Sequence, residues 1–430
     1  MMYKIRRTND GVQLFDTFDF YNTPNIGWTS WEIIKNVKKY GTEKAVKKIR
    51  SSFNITEKEA KEDIQTVLRN LQMMRINFDE IPSSVSNVKW APRTVHFDIT
   101  TRCNSNCIYC LASDLMENKE ELPTETILNL ISQLPELGTW LLILSGGEPL
   151  LRKDFFQILK YADELGILTQ VLTNGTLITK DVAKKFSNIK RVFFQISLDT
   201  YIPEHYNFHR GIPDAFEKTL QGIKNLKEKG MTPEIAMVVS RYNYNDIDKT
   251  VSFFHKEFGV KYIRIGPVST YRGRGLQNKE KLELNLEQMR EAGKKILELG
   301  KKYGESLCFL PLREFTVFSV QPSTSTKLSR CGNSQSLVYI SSDGIVYPCI
   351  GTSYPQYAIG DIKKDTLMHI WKTSSLLKKI RYITTDDIKK CKTCKFKHLC
   401  TGGCRANSYK YFKTLTAHDP LYCAYFKVKS

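Results

Sequence analysis

The chain has 430 residues, enough for two or three domains with substantial hydrophobic cores. It is 41% hydrophobic and 25% charged, and no apolar run is long enough to span a bilayer, which argues against a disordered or membrane-spanning chain. The net charge is +19, and residues 361–430 hold 16 lysines and arginines against 5 acidic residues. These basic residues are interspersed with cysteines and accompany no recognisable base-reading motif, so we expect no nucleic-acid partner.

The first 80 residues are predicted to form a small domain of a few strands and three helices. Extended segments lie around residues 11–25, and the clearest helical pattern covers 56–72. There Thr56 and Glu59 form a capping box at the start of an apolar stripe. No apolar segment follows the basic start of the chain, so we expect a cytoplasmic location without a secretory signal. Prolines and serines in residues 81–93 predict a linker.

Residues 94–310 alternate between buried strands and amphipathic helices. The six predicted strands cover 95–100, 141–145, 168–172, 191–197, 234–239 and 261–266. Because each is followed by a helical pattern, we predict an α/β fold in which a parallel sheet with right-handed crossovers forms a partial (β/α)6 TIM-like barrel. In such a fold the chemistry lies at the carboxyl ends of the strands.

Polar motifs follow four of these strands. Cys103, Cys107 and Cys110 follow the first strand, and the segments 145–149, 173–175 and 197–199 follow the next three. Each motif alone could be an ordinary turn or helix start. Four of them at successive strand ends predict a single crevice.

The eleven cysteines point to iron–sulfur chemistry. A reducing cytoplasm disfavours disulfides, and a zinc site at Cys103, Cys107 and Cys110 would need a fourth protein ligand that is not evident. A C-x3-C-x2-C loop can instead ligate three irons of a four-iron cluster and leave the fourth iron open for a ligand.

This spacing, with Tyr109 before the third cysteine, resembles the signature of the radical S-adenosylmethionine (SAM) enzymes, and the similarity covers about residues 94–275. The resemblance implies a [4Fe–4S] cluster on the three cysteines, with SAM bound to the open iron. It implies that reduction of the cluster yields a 5′-deoxyadenosyl radical that abstracts hydrogen from a substrate. The implied cofactor-binding residues are Tyr109, Gly146, Gly147, Glu148, Pro149, Asn174, Ser197, Asp199 and Arg210.

The resemblance assigns a role to several of these residues. The segment from Gly146 to Pro149 would meet the methionine amino group of SAM. Ser197 and Asp199 would lie near the ribose, and Arg210 would bind the carboxylate.

Residues 311–430 resemble the SPASM extension of the same superfamily, a cysteine-rich domain that binds two auxiliary [4Fe–4S] clusters, which would bring the total to three. One auxiliary cluster would use Cys391, Cys394, Cys400 and Cys423, and the other Cys331, Cys349 and Cys404. The second set is one ligand short. Either an iron is open to a substrate thiolate, or Cys308 supplies the fourth ligand. Cys308 could also be a hydrogen-atom donor or a buried core residue.

Residues 1–80 resemble the winged-helix peptide-recognition domain, or RiPP recognition element, of enzymes that mature ribosomally made peptides. In that family the leader of the precursor peptide adds a strand to a sheet edge. The alternative is a structural cap on the barrel.

Together these resemblances imply a peptide maturase that installs a cross-link, either a thioether or a carbon–carbon bond. Its expected partners are a precursor peptide, with the leader bound by residues 1–80, and a reductant such as flavodoxin or ferredoxin. Three alternatives stay open: a peptide epimerase, a sulfatase-type maturase or tetrapyrrole-modifying enzyme, and a non-catalytic iron–sulfur electron carrier. The cofactor crevice argues against the carrier, which has no need for one.

Overall fold

The structure, a computed structural model, describes residues 4–7, 11–15, 25–73, 78, 92–115, 120–303, 308–311, 336–400 and 402–427. The chain divides into two compact units. The first comprises Met1–Ala91 and Pro135–Trp140, and the second comprises Pro92–Leu134 and Leu141–Ser430. Most of the predicted linker, residues 81–91, lies outside the described residues, as do residues 312–335 near the predicted boundary at 310.

In its described residues, the first unit contains a three-stranded antiparallel sheet in the order β1-β2-β3 and two helices, of which the first is kinked and covers two of the three predicted helices. The elements are β1 (Lys4–Arg7), β2 (Gly11–Phe15), β3 (Asn25–Gly27), α1 (Trp28–Phe53) and α2 (Glu57–Met73). Gly41 has φ 74° and bends α1. The predicted capping box is confirmed, because Glu59 N–H donates to Thr56 Oγ1 at 3.2 Å and Thr56 N–H donates to Glu59 Oε2 at 2.7 Å.

A core between the two helices stabilises this unit. Trp31, Ile34 and Ile49 of α1 are buried, as are Ala60 and Ile64 of the predicted apolar stripe on α2. Burying side chains of this size contributes roughly 1.5–3 kcal/mol each. Strands β1 and β3 are the two outer strands of the sheet. A winged-helix assignment of this unit stays a prediction.

The second unit is built on one long sheet, and all six predicted barrel strands are present in it. In the described part of the chain its order is β10-β9-β8-β7-β6-β5-β4-β11-β12-β13. Strands β4 to β10 are parallel to their neighbours. The strands are β4 (Thr94–Thr100), β5 (Leu141–Gly146), β6 (Leu168–Thr173), β7 (Val192–Ser197), β8 (Glu234–Val239), β9 (Tyr262–Pro267) and β10 (Cys308–Pro311).

The helices of the barrel region follow the strands as predicted. They are α3 (Thr124–Leu137), α4 (Phe155–Glu164), α5 (Lys180–Phe186), α6 (Pro203–Arg210), α7 (Ala215–Lys227), α8 (Ile247–Phe258), α9 (Gly273–Gln277), α10 (Lys279–Leu282) and α11 (Leu286–Tyr303). Alternate residues along β4 separate two environments. Val95, Phe97 and Ile99 belong to the buried apolar core, whereas His96 and Asp98 occupy the other face, with the cavity described below.

The chain after residue 336 extends the same sheet. Strand β11 (Leu337–Ile340) pairs parallel with β4, and β12 (Ile345–Tyr347) and β13 (Gly360–Asp361) follow antiparallel. This extension was not predicted. The helices beyond are α12 (Leu367–Thr373), α13 (Ser375–Tyr382), α14 (Lys389–Lys392), α15 (Lys397–Cys400), α16 (Arg405–Phe412) and α17 (Pro420–Lys427).

Candidate active site

A cavity of about 370 Å³ lies at the carboxyl ends of β4 to β9. Its mouth is formed by the loop 101–112, which holds the three clustered cysteines, and its inner wall by alternate residues of the strands. Nine residues predicted from the motifs line it: Cys103, Cys107, Tyr109, Cys110, Gly146, Gly147, Asn174, Ser197 and Arg210. The motifs at separate strand ends therefore meet at one site, as the barrel prediction requires.

The backbone of the cysteine loop is fixed on one side by the end of α6. Asn106 N–H donates to the carbonyl of Arg210 at 2.9 Å, and Ile108 N–H donates to that of His209 at 3.1 Å. Gly211 ends α6 with φ 65°, and a side chain there would lie 2.7 Å from the Asn106 carbonyl oxygen. A glycine is required because the two backbones approach so closely.

Residues after β9 fix the same loop from the other side. The Arg274 Nε donates to the Cys107 carbonyl at 2.9 Å, and the Asn278 Nδ2 donates to the Ile108 carbonyl at 3.0 Å. These two positioning residues were not predicted. The segment YRGRG, residues 271–275, was the available signal, because it is a further polar segment that begins four residues after the end of β9.

Gly146 and Gly147 allow the loop after β5 to pass against the cysteine loop. Gly147 N–H donates to the Thr100 carbonyl at 2.9 Å, and Glu148 N–H donates to the Arg102 carbonyl at 2.8 Å. A Cβ atom on Gly147 would overlap the Arg102 carbonyl oxygen. The two glycines thus allow the loop after β5 to pack closely against the cysteine loop, beside the cavity that both glycines line.

Glu148 is fully buried and does not line the cavity. Its carboxylate accepts hydrogen bonds from Thr173 Oγ1 at 2.8 Å, Asn174 N–H at 2.9 Å and Leu150 N–H at 3.2 Å. Burial raises the pKa of Glu148 to about 7, although these hydrogen bonds and the charge of Arg210 act in the opposite direction. The carboxylate joins the ends of β5 and β6. Pro149 is buried at the start of the adjoining 3₁₀ turn and does not line the cavity either.

Asp199 is fully buried and its carboxylate is occupied by protein groups. It accepts hydrogen bonds from Tyr109 Oη at 2.5 Å, Arg210 Nη2 at 3.1 Å and Val238 N–H at 3.0 Å. Asp199 does not line the cavity, so its geometry gives the predicted ribose contact no support. It orients two residues that do line the cavity, Tyr109 and Arg210.

Arg210 lies between these groups and the cysteine loop. Its Nη1 is 3.7 Å from the Cys107 Sγ, and its guanidinium lies 5.3 Å from the Tyr109 ring centre and 5.1 Å from that of Tyr206. Although burial opposes it, the neighbouring Asp199 charge holds the pKa of Arg210 well above its usual value. The side chain is therefore a fixed cation beside a thiol of the loop.

Asn174 and Ser197 line the cavity at the ends of the neighbouring strands β6 and β7. The Asn174 Nδ2 donates to Asn104 Oδ1 at 2.8 Å and to Ser105 Oγ at 3.1 Å, which ties the end of β6 to the cysteine loop. Tyr206 Oη donates to the Ser197 carbonyl at 2.7 Å and leaves the Ser197 side chain on the cavity.

The three thiols fit an iron–sulfur cluster by their chemistry. Burial raises the pKa of Cys110, and the neighbouring Cys107 raises it further. Thiols that resist losing a proton become ligands when a strongly positive partner compensates the thiolate charge, and iron does so. In the described residues, no group of three or more His, Cys, Asp and Glu side chains is arranged for a single metal ion.

Known proteins match both cysteine regions. A model of the radical SAM superfamily matches residues 97–254, and a model of an iron–sulfur cluster-binding domain, SPASM, matches residues 331–395. The AdoMet-dependent heme synthase of Methanosarcina barkeri is 30% identical over 347 residues, which cover 78% of this chain and 97% of the synthase. The chain belongs to the radical SAM superfamily. It is therefore a SAM-dependent iron–sulfur enzyme by family, with a SPASM domain.

Two further similarities concern a maturase and a protein crystallised with a precursor peptide. The mycofactocin maturase MftC of Mycolicibacterium smegmatis is 27% identical over 334 residues, which cover 77% of this chain and 82% of MftC. The crystal structure of Streptococcus suis SuiB bound to its precursor peptide SuiA superposes with a TM-score of 0.74 at 18% identity, and the match covers 98% of each chain. At that identity, the match to SuiB shows a shared fold.

The SPASM cysteines lie around short helices near the end of the chain. Cys391 and Cys400 are buried within α14 and α15, Cys404 precedes α16, and Cys423 lies in α17. Burial raises the pKa of Cys391 to about 11, and the nearby Cys423 and Cys394 contribute to the rise. These three thiols therefore share one neighbourhood, as the predicted ligand set requires.

The second predicted auxiliary set is only partly described. Cys349 lies at the start of a 3₁₀ turn, Ile350–Thr352, and Cys404 N–H donates to the buried Asp419 at 2.8 Å. Cys331 lies outside the described residues. Both ligand sets, and the number of clusters, stay predictions.

Cys308 begins β10, and its Cα pairs in register with Tyr262 at the start of β9. Its backbone thus lies at the amino-terminal end of the strands, whereas the cavity lies at their carboxyl ends. This position gives no support to Cys308 as a hydrogen donor in the cavity, and its role stays a prediction. In the described residues, no helix is long and apolar enough to cross a membrane.

Proposed function

We propose that this chain is a radical SAM maturase that cross-links a ribosomally made precursor peptide. The observation that carries the proposal is the cavity of about 370 Å³ that joins the cysteine loop to the barrel interior. Its size is at the low end of small-molecule sites, which run from about 300 to 1,000 Å³.

The residues of the cavity have defined roles in this proposal. Cys103, Cys107 and Cys110 would hold the cluster, which together with SAM would supply the radical chemistry for hydrogen abstraction. Arg210 binds the SAM carboxylate, and Asp199 holds the Arg210 guanidinium in place. Leu172, Ala236, Val238 and Pro267 form an apolar wall that excludes water from the radical.

The first unit supports a peptide substrate over a tetrapyrrole. The match to SuiB includes the first unit, because it covers 98% of this chain. SuiB was crystallised with a precursor peptide. We assign the leader of the precursor to an outer strand of the sheet in the first unit, where it adds a strand by backbone hydrogen bonds.

The predicted SPASM clusters would take up electrons released during cross-linking. Cys391, Cys394, Cys400 and Cys423 would hold one cluster, and Cys331, Cys349 and Cys404 the other. An open iron in the second cluster would bind a substrate thiolate, which favours a thioether product. A flavodoxin or ferredoxin would supply the reducing electron.

Co-expression with the short peptides encoded beside the gene tests this function. We expect a peptide that has lost two hydrogens per cross-link, detected by mass spectrometry, and no modified peptide with a Cys107→Ala variant. A peptide whose mass is unchanged in ordinary water, and which gains one deuterium in heavy water, would indicate an epimerase instead.

The similarity to the heme synthase favours one second candidate, a tetrapyrrole-modifying enzyme. Incubation with SAM, dithionite and an iron porphyrin that bears propionate side chains separates the two functions. Loss of carbon dioxide from the porphyrin, with unchanged peptides, would replace the proposal.

A further inference from the structure

Asp98 lies beneath the cavity and is connected to it by one side chain. Ser145 lines the cavity, and its Oγ donates a hydrogen bond to Asp98 Oδ1 at 2.8 Å. Asp98 itself is buried at 5% exposure and does not line the cavity. The two residues are register partners on the neighbouring strands β4 and β5, so the contact is fixed by the sheet.

A partly buried histidine, whose Nε2 atom is buried, lies on the far side of the same carboxylate. His96 Nε2 is 3.6 Å from Asp98 Oδ1, and no described group forms a hydrogen bond with this nitrogen. Buried polar atoms are almost always paired, so an unpaired nitrogen next to a carboxylate calls for an explanation. Burial lowers the pKa of His96, although the Asp98 charge acts in the opposite direction. The imidazole is therefore neutral at pH 7, and in the tautomer that carries its hydrogen on Nδ1 the Nε2 atom can accept a proton.

Tyr339 also forms a hydrogen bond with the Asp98 carboxylate. Its Oη donates to Asp98 Oδ2 at 2.5 Å, and its ring packs edge-on against His96 with 5.4 Å between the ring centres. The titratable and charged groups around Asp98 are thus His96 on β4 and Tyr339 on β11. Asp98 also acts electrostatically on Cys110, and Arg272 acts on Tyr339.

The other carboxylates near the cavity are less suited to pass a proton on. Asp199 is paired with Arg210, and Glu234 accepts from Arg264 Nε at 3.0 Å and from Gln170 at 3.3 Å. Glu148 takes up a proton readily, because burial raises its pKa to about 7. Two of the groups that donate to its carboxylate are backbone N–H groups, which cannot accept the proton in turn. At Asp98, an imidazole nitrogen lies 3.6 Å from the carboxylate and is the next acceptor along the path.

We propose that Ser145, Asp98 and His96 form a proton relay that removes the proton that the substrate releases in the cross-linking reaction. The inference rests on the proposed cross-linking function. Closing a link between two substrate atoms removes two hydrogens. One leaves as a hydrogen atom, taken up in 5′-deoxyadenosine. The second leaves as a proton, which enters the relay, and an electron, which passes to an iron–sulfur cluster.

The hydrogen bond from Ser145 to Asp98 sets the direction of proton transfer, which leads away from the cavity. The Ser145 hydroxyl passes its proton to Asp98 while it accepts the substrate proton, and Asp98 passes the proton to His96 after a small rotation of the imidazole. The product is an imidazolium beside a carboxylate. Such a pair is neutral overall, so a buried site can hold it.

The first test measures cross-linked peptide formed per 5′-deoxyadenosine, a ratio that does not depend on how much enzyme carries its clusters. We expect Asp98→Asn, Ser145→Ala and His96→Gln each to lower the ratio at least tenfold. The matched control is His369→Gln, which changes an exposed histidine and is expected to keep the wild-type ratio. A wild-type ratio in both Asp98→Asn and His96→Gln would overturn the relay.

The pH profile separates a relay from a merely structural role. In the wild type we expect the ratio to fall as the pH decreases through the lowered pKa of His96, because an imidazolium cannot accept the proton. His96→Gln removes this decline. A variant that keeps the wild-type pH profile at a lower ratio would contradict the relay.

The second test needs no substrate, so it remains decisive if the cross-linking function itself fails. The titration of His96 is followed by NMR in holoenzyme labelled at histidine, with His96→Gln to assign the signal. Removal of the Asp98 charge by Asp98→Asn is expected to lower the pKa of His96 further. A titration that Asp98→Asn leaves unchanged would show that the two groups are not coupled, and the relay would be rejected.

Discussion

The Arg210 guanidinium donates to the Asp199 carboxylate at 3.1 Å, and both side chains are buried against the cysteine loop. This pair explains why the loop has a defined shape beside the cavity. The backbone carbonyl of Arg210 accepts from Asn106 N–H, and its guanidinium lies beside Cys107. Asp199 thus fixes the side chain of Arg210, a residue that contacts the loop with both its guanidinium and its backbone carbonyl.

Replacing Asp199 by asparagine is expected to destabilise the fold strongly. The substitution leaves the Arg210 charge buried without a counter-ion, and breaking such a pair costs about 3–5 kcal/mol. Thermal unfolding of the purified protein measures the loss. Asp214→Asn is the matched control, because Asp214 forms an exposed pair with Lys218 at 2.8 Å and such pairs contribute under about 1 kcal/mol. Equal midpoints for the two variants would contradict the assignment.

Gly147→Ala is expected to abolish iron binding at the cysteine loop. A Cβ atom there overlaps the Arg102 carbonyl oxygen, so the loop must move away from β5. Iron and sulfide content after anaerobic reconstitution measures the effect. Gly300→Ala is the control, because its site in α11 has no atom within 4 Å of the added Cβ atom, and alanine favours a helix by about 1 kcal/mol. Full iron content in Gly147→Ala would contradict the close packing.

Glu148 is expected to make folding stability depend on pH. Its pKa rises from 4.5 to about 7 on folding, so the folded chain binds this proton more tightly than the unfolded chain. The resulting stabilisation is fully present below pH 4.5 and is lost as the pH rises through 7, a change of about 3 kcal/mol. Thermal unfolding of wild type and Glu148→Gln at several pH values measures the difference between them.

We expect the stability of the wild type, relative to Glu148→Gln, to decrease between pH 5 and pH 8. Glu164→Gln serves as the control because this glutamate is exposed on α4. A stability difference that stays constant with pH would show that Glu148 does not titrate in this range.

The SPASM cysteines are expected to hold two clusters with separate ligand sets. Cys391→Ser should remove about four iron atoms per chain, and Cys349→Ser a further four from the second set. Iron analysis of the single and double variants measures this. Losses that do not add in the double variant would indicate one shared cluster or none.

The strands and their polar ends were predictable because local patterns determine them. Apolar runs such as VFFQIS form buried parallel strands, and the motifs that follow must then meet at one edge of the sheet. Nothing in this inference requires knowledge of distant contacts. The same holds for the capping box of Thr56 and Glu59, which lie three residues apart.

Contacts between distant segments were not predictable. Leu337 pairs with Thr94, and Arg274 donates to the Cys107 carbonyl, although more than 150 residues separate each pair. No local pattern specifies such partners. The orientation of Asp199 was equally undetermined, because the sequence does not say whether its carboxylate meets a cofactor or a buried arginine.

Transfer of deuterium from a peptide into 5′-deoxyadenosine tests the central claim most directly. The precursor is prepared with deuterated core residues and incubated with reconstituted enzyme, SAM and dithionite. We expect 5′-deoxyadenosine that carries one deuterium, together with a peptide that has lost one deuterium at the cross-linked carbon. Unlabelled 5′-deoxyadenosine beside an unchanged peptide would contradict the account of this chain as a peptide maturase.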